Sequence, residues 1–306
     1  MGPGLIAPEL LAAVKRVHLR THRLVNTALA GAYRSTFRGQ GIEFEEVRPY
    51  VPGDDVRAID WNVTARTGDP YVKTYREERE LTVHLLVDSG LTMDFGTRRW
   101  TKREAAAQLA GLVSLVALRN QDRVGLTLFG RDQEVYLRAS KGSHHVLRII
   151  REVLAAEAPV SSADLRTAIE STERHLRRRA MVILVSDFVG TLDSEGEERA
   201  RVIESLARLG RRHDLIAARV LDPIEEHLPG VGPLVVRGTD GVVVELDGRS
   251  AAVRKDWERA AADRGDLIRA GLSQARVDHL ELRGNEDLAG PLISFFRRRE
   301  LKGARR

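Results

Sequence analysis

The chain has 306 residues, of which 42% are hydrophobic and 30% charged, and its formal net charge is +5. That length holds one large domain or two modest ones, and that apolar content excludes wholesale disorder. The absence of cysteine excludes a disulfide framework, a zinc–cysteine site, an iron–sulfur cluster and a cysteine nucleophile, and it fits a reducing cytoplasm.

No basic segment precedes the first apolar residues, and Ile6 stands where a myristoylation pattern needs Ser or Thr, so neither a secretory signal nor a lipid anchor is expected. The longest nearly apolar run, Ala105–Leu118, falls short of the roughly 20 residues that cross a bilayer. Residues 1–82 read as one unit, a short helix followed by a block dense in alternating charges, and residues 83–306 as an α/β domain.

Within the charged block, Ile42–Glu45 alternates like a strand, Pro52-Gly53 marks a turn, and Asp54 or Asp55 is expected to cap one short helix through Arg66. Gly68-Asp69-Pro70 ends that helix, and Tyr71–Tyr75 returns as a strand. Arg48, Asp54, Asp55, Arg57, Asp60 and Arg66 crowd a short stretch, where opposite charges can form bidentate pairs. The crowding reads either as a structural ion-pair network or as a partner-binding surface. Trp61 is correspondingly an interface anchor or the residue that packs the block onto the domain.

From Val83 onward, apolar strands alternate with helices. Val83–Val87 ends at Asp88, and the helix over Trp100–Asn120 is apolar enough around its circumference to be well buried. Val124–Phe129 is the second strand and polar Glu134–Arg138 suits a sheet edge. Helices around Val146–Leu154 and Leu165–Leu176 lead to Met181–Val185, an uninterrupted apolar run of the kind expected in a central parallel strand. A helix over 197–209, a strand over Leu215–Leu221, a hairpin insertion near residues 234–247, a long helix around Trp257 and Ile268, a strand over Val277–Leu282 and a C-terminal amphipathic helix complete the pattern.

This alternation predicts a doubly wound, mostly parallel sheet with a small N-terminal β-containing subdomain. In the common order 3-2-1-4-5-6, the first and fourth strands meet at the switch point, so Asp88 and Asp187 would converge on one crevice at the carboxyl ends. No P-loop, no G-x-S-x-G elbow and no H-E-x-x-H motif is present. The basic end, Arg297, Arg298, Arg299, Lys302, Arg305 and Arg306, is read as a solvated helix terminus rather than a nucleic-acid or anionic-lipid site.

Asp88-Ser89-Gly90-Leu91-Thr92 resembles the Asp-x-Ser-x-Ser metal motif of von Willebrand factor A domains, a Rossmann-like fold. The resemblance implies a magnesium or manganese ion on Asp88, Thr92 and Asp187. Gly90 replaces an expected hydroxyl, and Ala163, in Ser161-Ser162-Ala163-Asp164-Leu165, replaces another, so the motif is degenerate. The same residues also allow a metal-dependent hydrolase or phosphatase at Asp88 and Asp187, but Gly90 stands where an aspartyl-phosphate enzyme keeps its acid/base aspartate.

Arg48/Tyr50, Gly53/Asp54/Asp55, Ile59/Asp60/Trp61 and Ala65/Arg66, continued by Asp122-Arg123-Val124-Gly125, closely resemble the signature of the domain-of-unknown-function 58 family. The resemblance implies a non-catalytic adaptor or chaperone-like partner of a MoxR-type AAA+ ATPase, with no small-molecule substrate.

Overall fold

The computed structural model describes residues 8–25, 27–36, 43–76, 80–130, 134–156, 164–238, 241–283 and 287–303. Two helices, α1 (Pro8–Leu24) and α2 (Thr27–Thr36), open the chain. The charged block is a hairpin of β1 (Glu43–Pro49) and β2 (Tyr71–Arg76), paired antiparallel with Val47 opposite Lys73. Between them lie a 3-10 turn over Val56–Ala58 and the short helix α3 (Trp61–Thr67).

The single helix expected from Asp54 or Asp55 through Arg66 is therefore two elements. Asp55 caps the first, Asp60 caps the second, and Ile59 between them takes an extended backbone and bridges Val72. A residue that pairs with a strand cannot also continue a helix.

The main sheet begins with β3 (Thr82–Asp88) and continues after α4 (Lys102–Arg119) with β4 (Arg123–Phe129) and the edge strand β5 (Val135–Ser140). Helices α5 (Ser143–Ala155) and α6 (Leu165–His175) precede β6 (Met181–Ser186). Then come α7 (Glu197–Arg212), β7 (Asp214–Leu221) and the one-turn helix α8 (Pro223–Glu226). A second hairpin, β8 (Pro233–Arg237) with β9 (Val243–Asp247), precedes the long α9 (Ala251–Gln274), β10 (Asp278–Arg283) and α10 (Ala289–Gly303).

The sheet order is β10-β7-β6-β3-β4-β5, parallel throughout except for the β4–β5 pair. Numbered within this sheet alone, that is the 3-2-1-4-5-6 order, with the switch between β3 and β6. Val83, Leu85, Val87, Ile183 and Ile216 share one core with α1, α2, α4, α5 and α10. Leu86, Val182, Leu184 and Ala217 share the other with α6, α7 and α9. Covering on both faces is what the uninterrupted apolar run of β6 demands. Helix α4 lies between the sheet and α1 and α5, so every residue from Ala105 to Ala117 is buried.

The first helices belong to this core: Val14, Val17, Leu29 and Tyr33 are buried in it. The Tyr33 hydroxyl donates to Asp122 Oδ2 at 2.8 Å, and Asp122 Oδ1 accepts the Leu81 N–H at 2.8 Å. Burial, then the Asp122 charge, push the Tyr33 hydroxyl well above its ordinary pKa, so it stays a donor. No helix among the described residues is long and apolar enough to cross a membrane.

Gly125 sits opposite His84 in the β3–β4 register. A Cβ at Gly125 would lie 2.7 Å from His84 Nδ1, and 3.2 Å from both the Ala139 N and the Leu137 O of β5. The ring cannot swing clear, because its Nε2 is hydrogen-bonded to Thr127 Oγ1 at 2.8 Å. Burial, then the fields of His175 and His213, hold His84 down at about 3, so the ring is neutral.

Gly125→Ala is therefore expected to lower unfolding stability by about 1–3 kcal/mol, the usual effect of overpacking. In a double-mutant cycle with His84→Ala, measured by denaturant unfolding, that loss should shrink. Simple additivity would remove the His84 contact as its cause.

Candidate functional site

The switch point brings the two aspartates to the same end of neighbouring strands, because Val87 of β3 pairs with Val185 of β6. Asp88 is the last residue of β3 and is 5% exposed. Its Oδ1 accepts the Gly90 N–H at 2.7 Å and its Oδ2 accepts the Ser186 hydroxyl at 2.6 Å. Burial, then the neighbouring Asp187 charge, push the Asp88 carboxyl up to about 7.

Asp187 follows β6 directly. Its Oδ1 accepts the Val189 N–H at 3.0 Å, which fixes the carboxylate at the start of the loop. The next residue, Phe188, is fully buried with φ of 61°. A left-handed backbone at a bulky residue is strained and persists only where its surroundings impose it. Here the Ser186 hydroxyl accepts the Phe188 N–H at 2.9 Å while donating to Asp88, so one serine holds both the turn and the first carboxylate.

Beside Asp187 stands a side chain that apolar periodicity does not reveal. Lys102, the first residue of α4, is 1% exposed, and its Nζ lies 2.6 Å from Asp187 Oδ2 and 2.6 Å from Glu225 Oε1. Burial pulls the Lys102 ammonium down, but the charges and hydrogen bonds of Asp187 and Glu225 outweigh it and hold its pKa above the ordinary value.

Lys102 and Glu225 are each positioned by a helix cap. Thr101 and Glu104 form a capping box that fixes the start of α4. Asp222 and Glu225 form another at α8, and Glu225 Oε2 accepts the Asp222 N–H at 2.9 Å. Asp222 Oδ2 in turn accepts the Thr97 N–H at 2.8 Å, tying the loop before α4 to α8.

The signals for these residues were present in the sequence. A lysine at the first position of a helix opposes the helix dipole and calls for a facing carboxylate. Asp222-Pro223-Ile224-Glu225 is a readable capping box.

Of the expected metal ligands, the structure brings Asp88 and Asp187 together. Thr92 lies half-buried in a 3-10 turn over Leu91–Asp94, and its hydroxyl makes no hydrogen bond among the described residues. Ser161, Ser162 and Ala163 lie outside the described residues. The donor set seen here does not fit a divalent cation. Both Asp88 oxygens already accept hydrogen bonds, Asp187 Oδ2 is bonded to an ammonium, and a second cation beside that ammonium would be repelled.

Beside this cluster is a cavity of about 220 Å³, lined by Asp187, Glu225, Arg219, Glu258 and Arg264 among others. Its charged walls are largely paired: Arg219 with Glu281 at 3.3 Å, Arg269 with Glu281 at 3.0 Å, and Arg283 with Glu226 through two bonds of 2.7 Å. At the basic end of the chain, Arg299 is bonded to Asp214 and Asp278 and so serves the fold.

The residues of the charged block divide in two. Arg48 grips Asp54 through two bonds of 2.7 Å, and Asp54 Oδ2 also accepts the Val51 N–H at 3.0 Å, closing the turn. Asp55 caps the 3-10 turn through the Arg57 N–H. Asp60, 8% exposed, accepts the Asn62 and Val63 N–H groups and pairs with Lys73 at 3.2 Å. These three aspartates build the loop. Arg57 and Arg66 are exposed and have no ion pair among the described residues. Trp61 is 69% exposed, so it does not pack the block onto the domain. Val51 and Val56 are exposed as well.

A family model described as "Protein of unknown function DUF58" matches residues 46–266. An uncharacterized protein of Mycobacterium tuberculosis is 33% identical over 292 residues, covering 94% of this chain and 89% of its own length. The uncharacterized protein YeaD of Bacillus subtilis is 25% identical over 140 residues, which is 46% of this chain and 33% of YeaD. Among solved structures, the chain is similar to the conserved hypothetical protein BatB from Bacteroides thetaiotaomicron, with a TM-score of 0.44 and 13% identity, covering 72% of this chain and 98% of that one. It is also similar to a von Willebrand factor type A protein from Catenulispora acidiphila, with a TM-score of 0.37 and 12% identity, covering 76% and 44% respectively.

Asp88 yields a pH prediction. Its folded pKa is raised toward 7 from 3.8, so between those values the native state holds more protons than the unfolded one. The Asp88 contribution is complete below the unfolded value and is lost as pH rises through the folded one. Asp88→Asn removes that titration. Its stability relative to the wild type should climb across that window, by at most about 1.4 kcal/mol per pH unit. Parallel unfolding series at stepped pH check this, and a difference that stays flat with pH would contradict it.

Proposed function

The chain belongs to the DUF58 family, and from that premise we propose that it is a cytoplasmic, non-catalytic protein-binding module, an adaptor or chaperone-like partner of a MoxR-type AAA+ ATPase. The observation that carries the reading is the exposed Trp61, presented on a helix that is hydrogen-bonded to the hairpin. Asp60 caps α3 from its first turn, its own N–H donates to the Tyr71 carbonyl at 2.8 Å, and Thr64 Oγ1 accepts the Tyr71 N–H at 3.1 Å. Those bonds fix α3 to the hairpin, so the indole costs little further ordering on binding. Tryptophan and arginine are the residues most enriched at binding hot spots, and exposed Arg57 and Arg66 flank it in sequence. Their charge favours an acidic partner surface.

The crevice supports the non-catalytic half of the reading. Ser89 Oγ donates to the Phe129 carbonyl, Ser186 Oγ to Asp88, and Lys102 to two carboxylates, so these groups are spent on one another. The alternative, a metal-dependent hydrolase at Asp88 and Asp187, needs an ionised nucleophile and a proton donor. Gly90 offers only a backbone N–H, which Asp88 already accepts, and so supplies no proton donor.

The test is binding to the cognate MoxR-type ATPase with nucleotide varied, measured by interferometry with immobilised full-length chain. Trp61→Ala should weaken the complex at least tenfold while leaving the melting midpoint within about a degree, because an exposed side chain far from the core contributes little stability. Arg57→Glu with Arg66→Glu should slow association, most clearly at low salt. Wild-type chain that fails to bind the ATPase in any nucleotide state would remove the proposal.

A further inference from the structure

We infer that the Lys102 ammonium is the resident cation of the sheet crevice, held on Asp187 in place of a metal ion. Three separate parts of the chain converge on its nitrogen: the start of α4, which carries it, the loop after β6, which supplies Asp187, and α8, which supplies Glu225. The aromatic face of Phe95, 5.8 Å away, closes a further side.

Nothing local accounts for a lysine at this position. It begins a helix, where the dipole disfavours a cation, and it is 1% exposed, where water cannot solvate it. Surface lysines at such positions turn outward and keep their charge wet. This one turns inward, where it meets the buried Asp187 and the partly buried Glu225. An ammonium offers three donors and no acceptor, and two of the three are matched to carboxylate oxygens at 2.6 Å.

The consequence is a crevice whose counter-charge is covalently attached. A metal-bridged contact leaves one coordination position for an outside acidic ligand. Here the cation is enclosed by its own chain, so the position is closed to outside ligands. The cluster then serves to lock α4, β6 and α8 together. This inference draws on the crevice alone and holds whatever partner the Trp61 surface takes.

The experiment uses the full-length chain with manganese as the probe. Free ion is followed by its paramagnetic resonance signal, and stability by the melting midpoint. Wild type should leave the free-manganese signal undiminished and its midpoint unmoved at millimolar ion. Lys102→Ala should melt lower, and added n-propylammonium, which supplies the missing ammonium group, should raise the variant's midpoint more than the wild type's, increasingly with concentration. Lys102→Ala combined with Asp187→Asn should lose that response.

Manganese binding by the wild type that disappears in Asp187→Asn would overturn the inference, and so would a Lys102→Ala variant as stable as wild type and indifferent to n-propylammonium. If Lys102→Ala does not fold, the comparison of wild type with Asp187→Asn decides: binding lost in the variant overturns the inference, and no binding in either sustains it.

Discussion

A buried ammonium must be compensated from within, and the arrangement at the carboxyl end of the sheet follows from that requirement. The effective penalty for taking an ion out of water is several kcal/mol even after relaxation, roughly what one well-placed pair returns. Lys102 meets it with two carboxylates at 2.6 Å. Each carboxylate is in turn fixed by a backbone N–H, that of Val189 for Asp187 and that of Asp222 for Glu225. Removing any one partner would strand the others, so the first turn of α4, the β6 loop and α8 are constrained as a set. The left-handed backbone at Phe188 is the local cost of aiming Asp187 inward, and Ser186 offsets it with a hydrogen bond to the Phe188 N–H.

The small hairpin uses the same chemistry with the opposite outcome. There too, aspartates accept backbone N–H groups and meet cations, Asp54 with Arg48 and Asp60 with Lys73. Those pairs are only partly buried, so water weakens them and each contributes modestly. What they do together is hold an irregular loop in one shape. A loop stabilised from its polar side is free to leave Trp61, Val51 and Val56 in solvent. The crevice spends its charges on closure, whereas the hairpin spends them on presentation.

The sequence made the sheet legible because burial on both faces writes itself as apolar runs. Met181–Val185 is such a run, and the strand order then placed Asp88 beside Asp187 without any contact being known. Apolar periodicity says nothing about which polar residue will be buried: Lys102 lies inside a helix assigned by its hydrophobic positions, and Glu225 lies between the strand over Leu215–Leu221 and the hairpin near residues 234–247. Within the charged block, the fixed pairs lay among the six crowded charges, but composition could not tell Arg48, which grips Asp54, from Arg57 and Arg66, which face solvent. That distinction depends on backbone direction, and the break at Ile59 between the 3-10 turn and α3 sets it. The first helices were similarly opaque, since their docking rests on Tyr33 reaching Asp122, 89 positions away.

Taken together, the two charged regions explain how a fold with its switch-point crevice filled can still serve recognition. In doubly wound sheets, ligands enter where the strand order reverses, because loops from neighbouring strands diverge there and leave room. In this chain that room is occupied by Lys102, and the adjoining cavity is walled by arginines and glutamates that mostly satisfy one another. Paired charges are poor anchors for a partner, because each must be desolvated and separated before a new contact repays it. An exposed indole on a fixed helix carries no such debt. Recognition is therefore expected to sit on the hairpin before the sheet, where exposed Trp61, Val51 and Val56 lie beside Arg57 and Arg66, two arginines without an ion pair among the described residues.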